Sequence, residues 1–486
     1  MDDFLNIKYQ QKRRDFLKGS ALGLGNIALG ALLGCNNPSK KNITKLIEEQ
    51  NSPLGGPHFL PKAKRVIYLF QSGGPSQMEL FDYKPKLYEM HGQEIPASVI
   101  GKNRISGMVS NQYSFPLAKP STTFTKVGAN GTYMSDLLPH TASIVDDLCI
   151  IKSMVTDQIN HEPAVVFTQT GNQLSGRPSI GSWLSYGLGS SNENLPSFIV
   201  MISKSGGDQP ITNAAWSSGF LPSHHQGVQF MTGKDPVLFL NSPDGIERMD
   251  RRKALDFIKK FNLLQYENLQ NPEIESQINQ AELAFKMQLE IPSIADLSNE
   301  PKHILDMYGP DVLTPGSFAH NCILARRLAE KDVRFIQLYH LGWDHHGALA
   351  SGIKKTTKLT DQASAALVTD LKQRGLLDDT LVIWGGEFGR TSFSQGKLTP
   401  EGFGRDHHPS AYSIWMAGGG VKSGLVYGET DDFAHNVVND KVHVHDFQAT
   451  LLHLLGIDHE KFIFKNQGRR YRLTDVSGNI IHNIIA

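Results

Sequence analysis

Cysteine is scarce in this chain of 486 residues, which contains three, Cys35, Cys149 and Cys322. A small protein held together by disulfides would show many paired cysteines, so that class is excluded. Cys149 lies in the apolar run LCII, and Cys322 lies in a helical pattern. We therefore predict that both are small buried side chains and not metal ligands.

The chain also lacks an excess of charge of either sign. Lysine and arginine together number 48, as do aspartate and glutamate, and no basic block follows the amino-terminal segment. Proteins that bind nucleic acid concentrate basic residues on one surface. Nucleic acid is therefore not an expected partner.

The apolar run near the amino terminus is too short to span a membrane. Residues 19–34 form an apolar run of 16 residues rich in Gly and Ala, whereas a membrane-spanning helix needs about 20. Arg13 and Arg14 precede this run, and Leu-Leu-Gly-Cys ends it at Cys35. Residues 1–34 thus resemble a twin-arginine signal peptide with a lipobox. A short amphipathic helix is the alternative, and the paired arginines argue against it.

This signal predicts where the mature protein resides. We expect the twin-arginine export machinery as a partner and a lipid on Cys35 that attaches the protein to a membrane. Residues 35–61 are polar and broken by Pro and Gly, so they are predicted to be a flexible tether. The expected location is periplasmic or elsewhere in the cell envelope.

Short apolar runs alternate with helical patterns over the remainder, residues 62–486. This alternation is typical of βαβ units and predicts an α/β fold with a largely parallel central sheet. The predicted strands are residues 65–70, 148–153, 196–202, 333–339, 380–384 and 411–417. Residues 203–315 depart from the pattern and are predicted to be an inserted cap or subdomain with helices over 245–263 and 272–289. One large domain and two closely packed lobes both remain open.

Several local patterns give further expectations. Residues 134–147 look helical, and Asp446 is a plausible N-cap of the last helix. Glu79 and Asp82 are interpreted as surface acids. The His224-His225 pair lies between Pro and Gly, so we expect it in a loop that faces solvent or substrate.

Three loops contain the candidate metal-binding and catalytic residues. The segment Tyr339–Gly347 reads YHLGWDHHG, residues 385–391 read GGEFGRT, and residues 404–409 read GRDHHP. The first two follow predicted buried strands, and the third precedes another. Since parallel strands align their carboxyl ends, loops distant in sequence can meet at one edge of the sheet.

Together the three loops supply carboxylates and imidazoles. Such a mixture is typical of binuclear hydrolytic sites and suits zinc, manganese or iron better than calcium or magnesium. Adjacent histidines in an extended segment point in opposite directions, so one of each pair is expected to bind metal. The candidates are Asp344, His345, His346, Glu387, Asp406, His407 and His408.

Five motifs in this order, QSGGPSQ, TDQINHEPAVVFTQTG, GWDHHG, GGEFGRT and GRDHHP, resemble a sulfatase-like bacterial family, domain of unknown function 1501. That family is related to the alkaline phosphatase superfamily, and the resemblance covers roughly residues 60–486. It implies a three-layer α/β/α sandwich around a mainly parallel sheet, with a divalent metal as cofactor. The metal ligands that it implies are Asp344, His346, Glu387, Asp406 and His407.

Two departures from the sulfatase pattern bear on the reaction. The paired aspartates after the first strand are replaced by Gln-Ser-Gly-Gly at residues 71–74, and the Cys/Ser-x-Pro-x-Arg nucleophile motif is replaced by His-Glu-Pro-Ala-Val at residues 161–165. His161 would then be a nucleophile, a general base or, most consistently, a metal ligand. Arg390 could hold an anionic oxygen of the substrate or form a salt bridge within the fold.

The sequence therefore predicts an exported, metal-dependent hydrolase of sulfate or phosphate esters, with a sulfated or phosphorylated glycan as one candidate substrate. His161 and Arg390 are its candidate catalytic residues. The alternative is a non-catalytic envelope lipoprotein that serves as a binding or assembly module.

Overall fold

A nine-stranded sheet forms the centre of the fold. The computed structural model describes residues 53–101, 103–204, 211–231, 237, 245–269, 271–399 and 402–486. In chain order the strands of the sheet are β1 Arg65–Ser72, β2 Leu148–Val155, β3 Phe198–Lys204, β4 Val228–Phe230, β5 Phe335–Leu341, β6 Thr380–Gly385, β7 Tyr412–Ala417, β8 Leu425–Tyr427 and β9 Val442–His443.

The sheet is mostly parallel. Its order is β8-β2-β7-β6-β1-β5-β3-β4, and β9 also pairs with β2. β1 lies between β5 and β6 and runs parallel to both, whereas β7 runs antiparallel to its neighbours β2 and β6. The predicted fold class is confirmed, with one reversed strand that the sequence pattern did not reveal.

Helices cover both faces of this sheet. In the described ranges they are α1 Gln77–Leu80, α2 Pro85–Glu89, α3 Ala97–Ile100, α4 Pro139–Ser143, α5 His161–Thr170, α6 Ile180–Leu188, α7 Arg248–Leu269, α8 Pro272–Ala295, α9 Lys302–Tyr308, α10 Phe318–Glu330, α11 Leu349–Gln373 and α12 Val444–Leu454. Small two-stranded ribbons complete the fold: Phe124–Val127 with Thr132–Ser135, Gly389–Arg390 with His407–His408, Glu429–Thr430 with Val437–Asn439, and Phe464–Asn466 with Arg469–Tyr471.

Two hydrophobic cores, one on each face of the sheet, define three layers. Alternate residues of β1 divide between them: Ile67 and Leu69 join the core that includes α10 and α11. Val66, Tyr68 and Phe70 join the core that includes α6 and α12. Strands covered on both faces are mostly apolar, which explains the uninterrupted apolar run from Val66 to Phe70 in β1.

The two long helices α7 and α8 lie in the segment predicted to be inserted. Arg252 of α7 pairs with Glu282 of α8 at 2.7 Å, and the apolar residues Met287, Ile291 and Ile294 of α8 join the core beside α10. The central sheet also extends into residues 203–315 through β4. None of the helices in the described ranges combines the length and apolar character needed to cross a membrane.

Several local expectations are wrong. Residues 134–147 form the end of a ribbon strand, the short α4 and a 3-10 turn rather than one helix, because Pro139 starts α4 afresh. His443, not Asp446, is the N-cap of α12, and Asp446 completes a capping box from the third helical position. Glu79 and Asp82 are buried rather than exposed.

The pair His224-His225 also departs from expectation. His225 is buried, and its Nδ1 lies 2.9 Å from Ser185 Oγ, while His224 Nδ1 lies 2.9 Å from Ser276 Oγ. The prediction for the cysteines is confirmed, since Cys149 and Cys322 are free and buried. The signal segment, Cys35 and the first part of the tether lie outside the described residues.

Candidate metal centre

The carboxyl edge of the sheet brings the loop after β1 against the loop after β5. Trp343 in the second loop donates its backbone N–H to the Ser72 carbonyl at 3.3 Å, and its indole N–H to Gln71 Oε1 at 2.8 Å. Gly73 has φ +116°, and a Cβ there would lie 2.6 Å from the backbone nitrogen of Asp344. Glycine at position 73 is therefore what allows the Asp344 loop to approach.

His407 reaches the same edge by a different route. Because β7 is antiparallel to β6, the amino end of β7 lies where the parallel strands end. The preceding residues His407–His408 pair with Gly389–Arg390, just after β6. A Cβ on Gly404 would lie 2.0 Å from the carbonyl carbon of His346, so this segment packs directly against the Asp344 loop.

Four residues converge where these loops meet. His161, Asp344, His346 and His407 each present one potential ligand atom, and these atoms all lie within 4.8 Å of one another. From the Asp344 carboxylate, the Nε2 atoms of the three histidines lie at 3.2 Å, 2.8 Å and 3.5 Å respectively. His161 arrives as the first residue of α5, which follows β2.

The outer nitrogen of each imidazole is bound to an acceptor. The Nδ1 atom of His161 lies 2.6 Å from Glu387 Oε1, that of His346 2.5 Å from Gln395 Oε1, and that of His407 2.7 Å from the Ile159 carbonyl. An Nδ1 that faces an acceptor carries the proton in a neutral imidazole, so the Nε2 lone pair points inward.

Three inward lone pairs beside a carboxylate fit a metal cation. Without a cation, electron-rich nitrogen and oxygen atoms would face one another at close range. Among the described residues, the Nε2 atoms of His161 and His407 are buried and have no hydrogen-bond partner. Imidazole nitrogen with a second acceptor behind it, together with a carboxylate oxygen, is the donor set that zinc, manganese and iron take.

Burial and neighbouring charges shift the pKa values of the residues in this group. Burial by itself would raise the pKa of Asp344, but the close approach of the three imidazoles and the charge of Arg390 hold this pKa well below its usual range. Burial lowers the pKa of His161, yet the two neighbouring carboxylates, Asp344 and Glu387, outweigh it and raise this pKa to about 9. Burial and the nearby Arg390 lower the pKa of His407 to about 4. A proton on His161 therefore occupies the position that a cation would take.

Arg390 lies beside the group of four. The guanidinium of Arg390 is buried and donates to Asp344 Oδ1 at 2.5 Å, to the Gly74 carbonyl at 2.9 Å and to the Arg405 carbonyl at 3.0 Å. It also donates to the carbonyl of Gly73. Of the two roles that the sequence left open for Arg390, the geometry shows the salt bridge within the fold.

Other predicted candidates lie outside the group of four. The carboxylate of Asp406 accepts the Ser106 hydroxyl at 2.6 Å and 2.8 Å. The ring of His408 is directed to the His435 carbonyl at 2.5 Å. Burial and Arg390 lower the pKa of His345 to about 4, and its ring packs against Gly352, where a Cβ would lie 2.5 Å away. Of each adjacent pair, one histidine joins the group of four.

Of the three acceptors behind the imidazoles, the sequence indicates Glu387 but not the other two. The Ile159 carbonyl is a backbone atom, and Gln395 is one polar loop residue among many. Neither carries a recognisable signal in a single sequence. The glycine at position 73 was detectable in principle, because a Gly-Gly pair directly after a strand often marks close approach of another backbone.

Comparison with known proteins gives one family match. The sequence model of the family described as "Protein of unknown function (DUF1501)" matches residues 63–485. No curated protein matches the chain.

Several solved structures resemble the chain. PsFucS1 sulfatase from Pseudoalteromonas sp. is 13% identical, with a TM-score of 0.33 and coverage of 87% of this chain and 73% of that one. A protein of the alkaline phosphatase superfamily from Vibrio parahaemolyticus is 11% identical, with a TM-score of 0.33 and coverage of 83% and 69%. The lipoteichoic acid synthase LtaP from Listeria monocytogenes is 9% identical, with a TM-score of 0.30 and coverage of 85% and 75%. At these values the likenesses say nothing about the reaction.

Proposed function

This chain belongs to the family described as protein of unknown function DUF1501, and we propose that it is a metal-dependent hydrolase of sulfate or phosphate esters. The observation that supports a metal centre is the convergence of His161, Asp344, His346 and His407 within 4.8 Å. The ester class follows from the resemblance of five sequence motifs to sulfatase-like proteins. Four ligands around one point favour a single ion rather than the pair that the composition first suggested.

The roles of the residues follow from their contacts. A divalent cation bound here would polarise an ester oxygen and make water more acidic. His161, His346 and His407 would hold it through Nε2, and Asp344 through a carboxylate oxygen. Side-chain exposures of 22% for His346 and 17% for Asp344 leave this side of the group accessible to a substrate.

Arg390 has a positioning role in this proposal. Its hydrogen bonds to Asp344 and to the carbonyls of Gly73, Gly74 and Arg405 join three of the loops. It thereby fixes the carboxylate and keeps the loops together. The guanidinium has too few remaining donors to grip a sulfate or phosphate group in the bidentate manner.

Metal content and ester turnover test the proposal together. The purified chain is supplied with zinc, manganese or iron, desalted, and assayed for bound metal and for hydrolysis of aryl sulfates and aryl phosphates. We expect one equivalent of metal, turnover that depends on it, and loss of both in Asp344→Ala. Protein that is folded and binds no metal under these conditions would disprove the proposal.

A second candidate function is metal-dependent binding without turnover. It is favoured by the four protein ligands, since catalytic zinc sites usually keep one position open, and by the engagement of Arg390 within the fold. This reading predicts stoichiometric metal but no hydrolysis of any ester tested. Such a protein would serve as an envelope binding or assembly module.

We also propose that the chain is exported and lipid-anchored. The support is the arginine pair at positions 13 and 14 and the Leu-Leu-Gly-Cys sequence that ends at Cys35. Cells expressing the full chain would be labelled with a radioactive fatty acid and fractionated. We expect label on the envelope form, loss of label in Cys35→Ser, and retention in the cytoplasm when both arginines are changed to lysine.

A further inference from the structure

Glu387 is a fully buried acidic residue beside the four candidate ligands. It lies in the turn after β6 and is 0% exposed. Its Oε1 lies 2.6 Å from His161 Nδ1, and the backbone N–H of Gly73 donates to Oε1 at 2.9 Å and to Oε2 at 3.3 Å. The carboxylate therefore sits behind the His161 ring and is bound to the loop after β1.

We propose that Glu387 is a positioning residue that holds the proton on His161 Nδ1 and turns His161 Nε2 toward the metal, and that it is not itself a ligand. This inference rests on the metal centre proposed above. It differs from the role implied by the sequence resemblance, in which Glu387 binds metal directly. The group of four converging ligand atoms is complete without Glu387.

His161 needs such a partner more than the other two histidines do. His346 and His407 have neutral acceptors on Nδ1, an amide oxygen and a backbone carbonyl. His161 alone has a carboxylate, which makes its Nε2 a stronger electron donor. His161 is also the first residue of α5, and the positive end of the helix dipole weakens binding of a cation there. A buried negative charge behind the ring offsets this effect.

Packing restricts the His161 ring to this orientation. The ring of Phe388, the next residue after Glu387, lies 4.9 Å from that of His161 and 4.6 Å from that of His407. Phe388 in turn packs on Gly74, where a Cβ would lie 2.7 Å from the phenyl ring. The same turn therefore supplies both the hydrogen-bond acceptor and the wall that positions the imidazole.

Metal affinity in a series of variants tests the proposal without any ester substrate. Zinc, manganese or iron binding to the full-length protein is measured by competition with a chelator, and the number of nitrogen and oxygen atoms around the bound metal by X-ray absorption. The series comprises Glu387→Gln, Glu387→Ala and the ligand variant Asp344→Ala. Glu162→Gln is the matched control, because Glu162 is an exposed carboxylate in the first turn of the same helix.

We expect Glu387→Gln to weaken metal binding about tenfold and Glu387→Ala about a hundredfold, as for other partners of ligating histidines. Gln keeps an oxygen that can accept from His161, so it should rescue part of the loss even if Glu387→Ala folds poorly. Both variants should keep the wild-type number of atoms around the metal, and Glu162→Gln should bind like wild type.

Two results would overturn the proposal. Loss of one atom from the metal environment in Glu387→Gln, as in Asp344→Ala, would show that Glu387 is a ligand. Equal affinities for Glu387→Ala and wild type would instead show that Glu387 has no positioning role. Wild-type protein that binds none of the three metals would remove the metal centre and this role with it, whereas bound metal without ester turnover would overturn only the hydrolase.

Discussion

The guanidinium of Arg390 lies 2.5 Å from Asp344 Oδ1 and is 1% exposed. Arg390 belongs to the short ribbon strand that follows β6, and Asp344 to the loop after β5. Their contact joins the loops on either side of β1, whose own loop contributes the carbonyls of Gly73 and Gly74. One side chain thus connects all three central strands where the candidate site forms.

Replacing Arg390 should destabilise the protein strongly. Arg390→Met keeps much of the volume but leaves the Asp344 carboxylate and three carbonyls without their donor. Loss of one partner from a buried ion pair costs about 3–5 kcal/mol. We expect a loss of that size in the free energy of urea unfolding. Arg469→Met, which removes an exposed arginine stacked on Tyr471, should cost about 0.5 kcal/mol or less; equal losses would contradict the role of Arg390.

Gly73→Ala should destabilise the protein for two reasons, the positive φ at this position and a clash of the added Cβ with the Asp344 loop. The added Cβ would lie 2.6 Å from the Asp344 backbone nitrogen, in a residue with φ +116°. Gly176→Ala is the matched control, since φ there is +104° and nothing lies within 4 Å of its Cβ. We expect Gly176→Ala to lose about 1 kcal/mol of unfolding free energy, and Gly73→Ala to lose about 1–3 kcal/mol more.

Metal binding provides the second readout for this glycine pair. Only Gly73→Ala should also weaken metal binding, because only that substitution displaces Asp344. Similar stability and metal affinity in the two variants would show that the Asp344 loop can move aside without consequence.

The sequence predicts those parts of the candidate site that depend on neighbouring residues in the chain. Asp344 and His346 follow a buried strand directly and are flanked by glycines, so a strand-end loop with metal-binding residues was recognisable. The sequence also predicts that His407 lies close to Asp344 and His346, on the argument that parallel strands align their carboxyl ends. That argument does not apply to His407. The strand after His407 is reversed, and its amino end rather than a carboxyl end lies at the edge.

The contacts of Asp406 and Glu79 could not be predicted, because their partners are distant in the chain. Whether Asp406 turns toward a metal is decided by Ser106, 300 residues earlier, which binds its carboxylate. Glu79 looked like a surface acid because its partner Arg405 is 326 residues away. A single sequence contains the local pattern of each residue but not these pairings.

Metal removal should lower the melting temperature, and Asp344 should be required for the effect. A ligand present at about 100 times its Kd stabilises the folded state by about 2.7 kcal/mol. We expect chelation to lower the melting temperature of wild-type protein by several degrees and to have no effect on Asp344→Asn. Asp306→Asn, which alters an exposed carboxylate on α9, should respond like wild type. An identical response of Asp344→Asn and wild type would exclude Asp344 as a ligand.

Acid should destabilise the protein through His225. Burial and the neighbouring His224 lower the pKa of His225 to about 2, against an unfolded value of about 6.5. The unfolded chain therefore binds more protons than the folded chain below pH 6.5, so stability is full above that pH and falls as the pH decreases. Between pH 8 and pH 5 this single group removes about 2 kcal/mol, because the slope approaches about 1.36 kcal/mol per pH unit below pH 6.5.

Urea unfolding at several pH values measures this contribution. His225→Gln should flatten the dependence on pH by that amount, even if the variant is less stable at pH 7.5 because it loses the contact with Ser185. Exposed His303 provides the control, since His303→Gln should leave the slope unchanged. Parallel curves for wild type and His225→Gln would contradict the prediction.

The buried pair of Glu79 and Arg405 should show strong energetic coupling. Both side chains are 0% exposed and lie 2.8 Å apart, and Arg405 also donates to the carbonyls of Ala118 at 2.9 Å and Thr391 at 3.0 Å. Either Glu79→Gln or Arg405→Met alone leaves a buried polar partner uncompensated, so each should cost about 3–5 kcal/mol. The double variant removes both charges and should be more stable than the sum of the single losses predicts, by up to about 3 kcal/mol. Urea unfolding of the four proteins measures this difference, and additive losses would show that the two residues act independently.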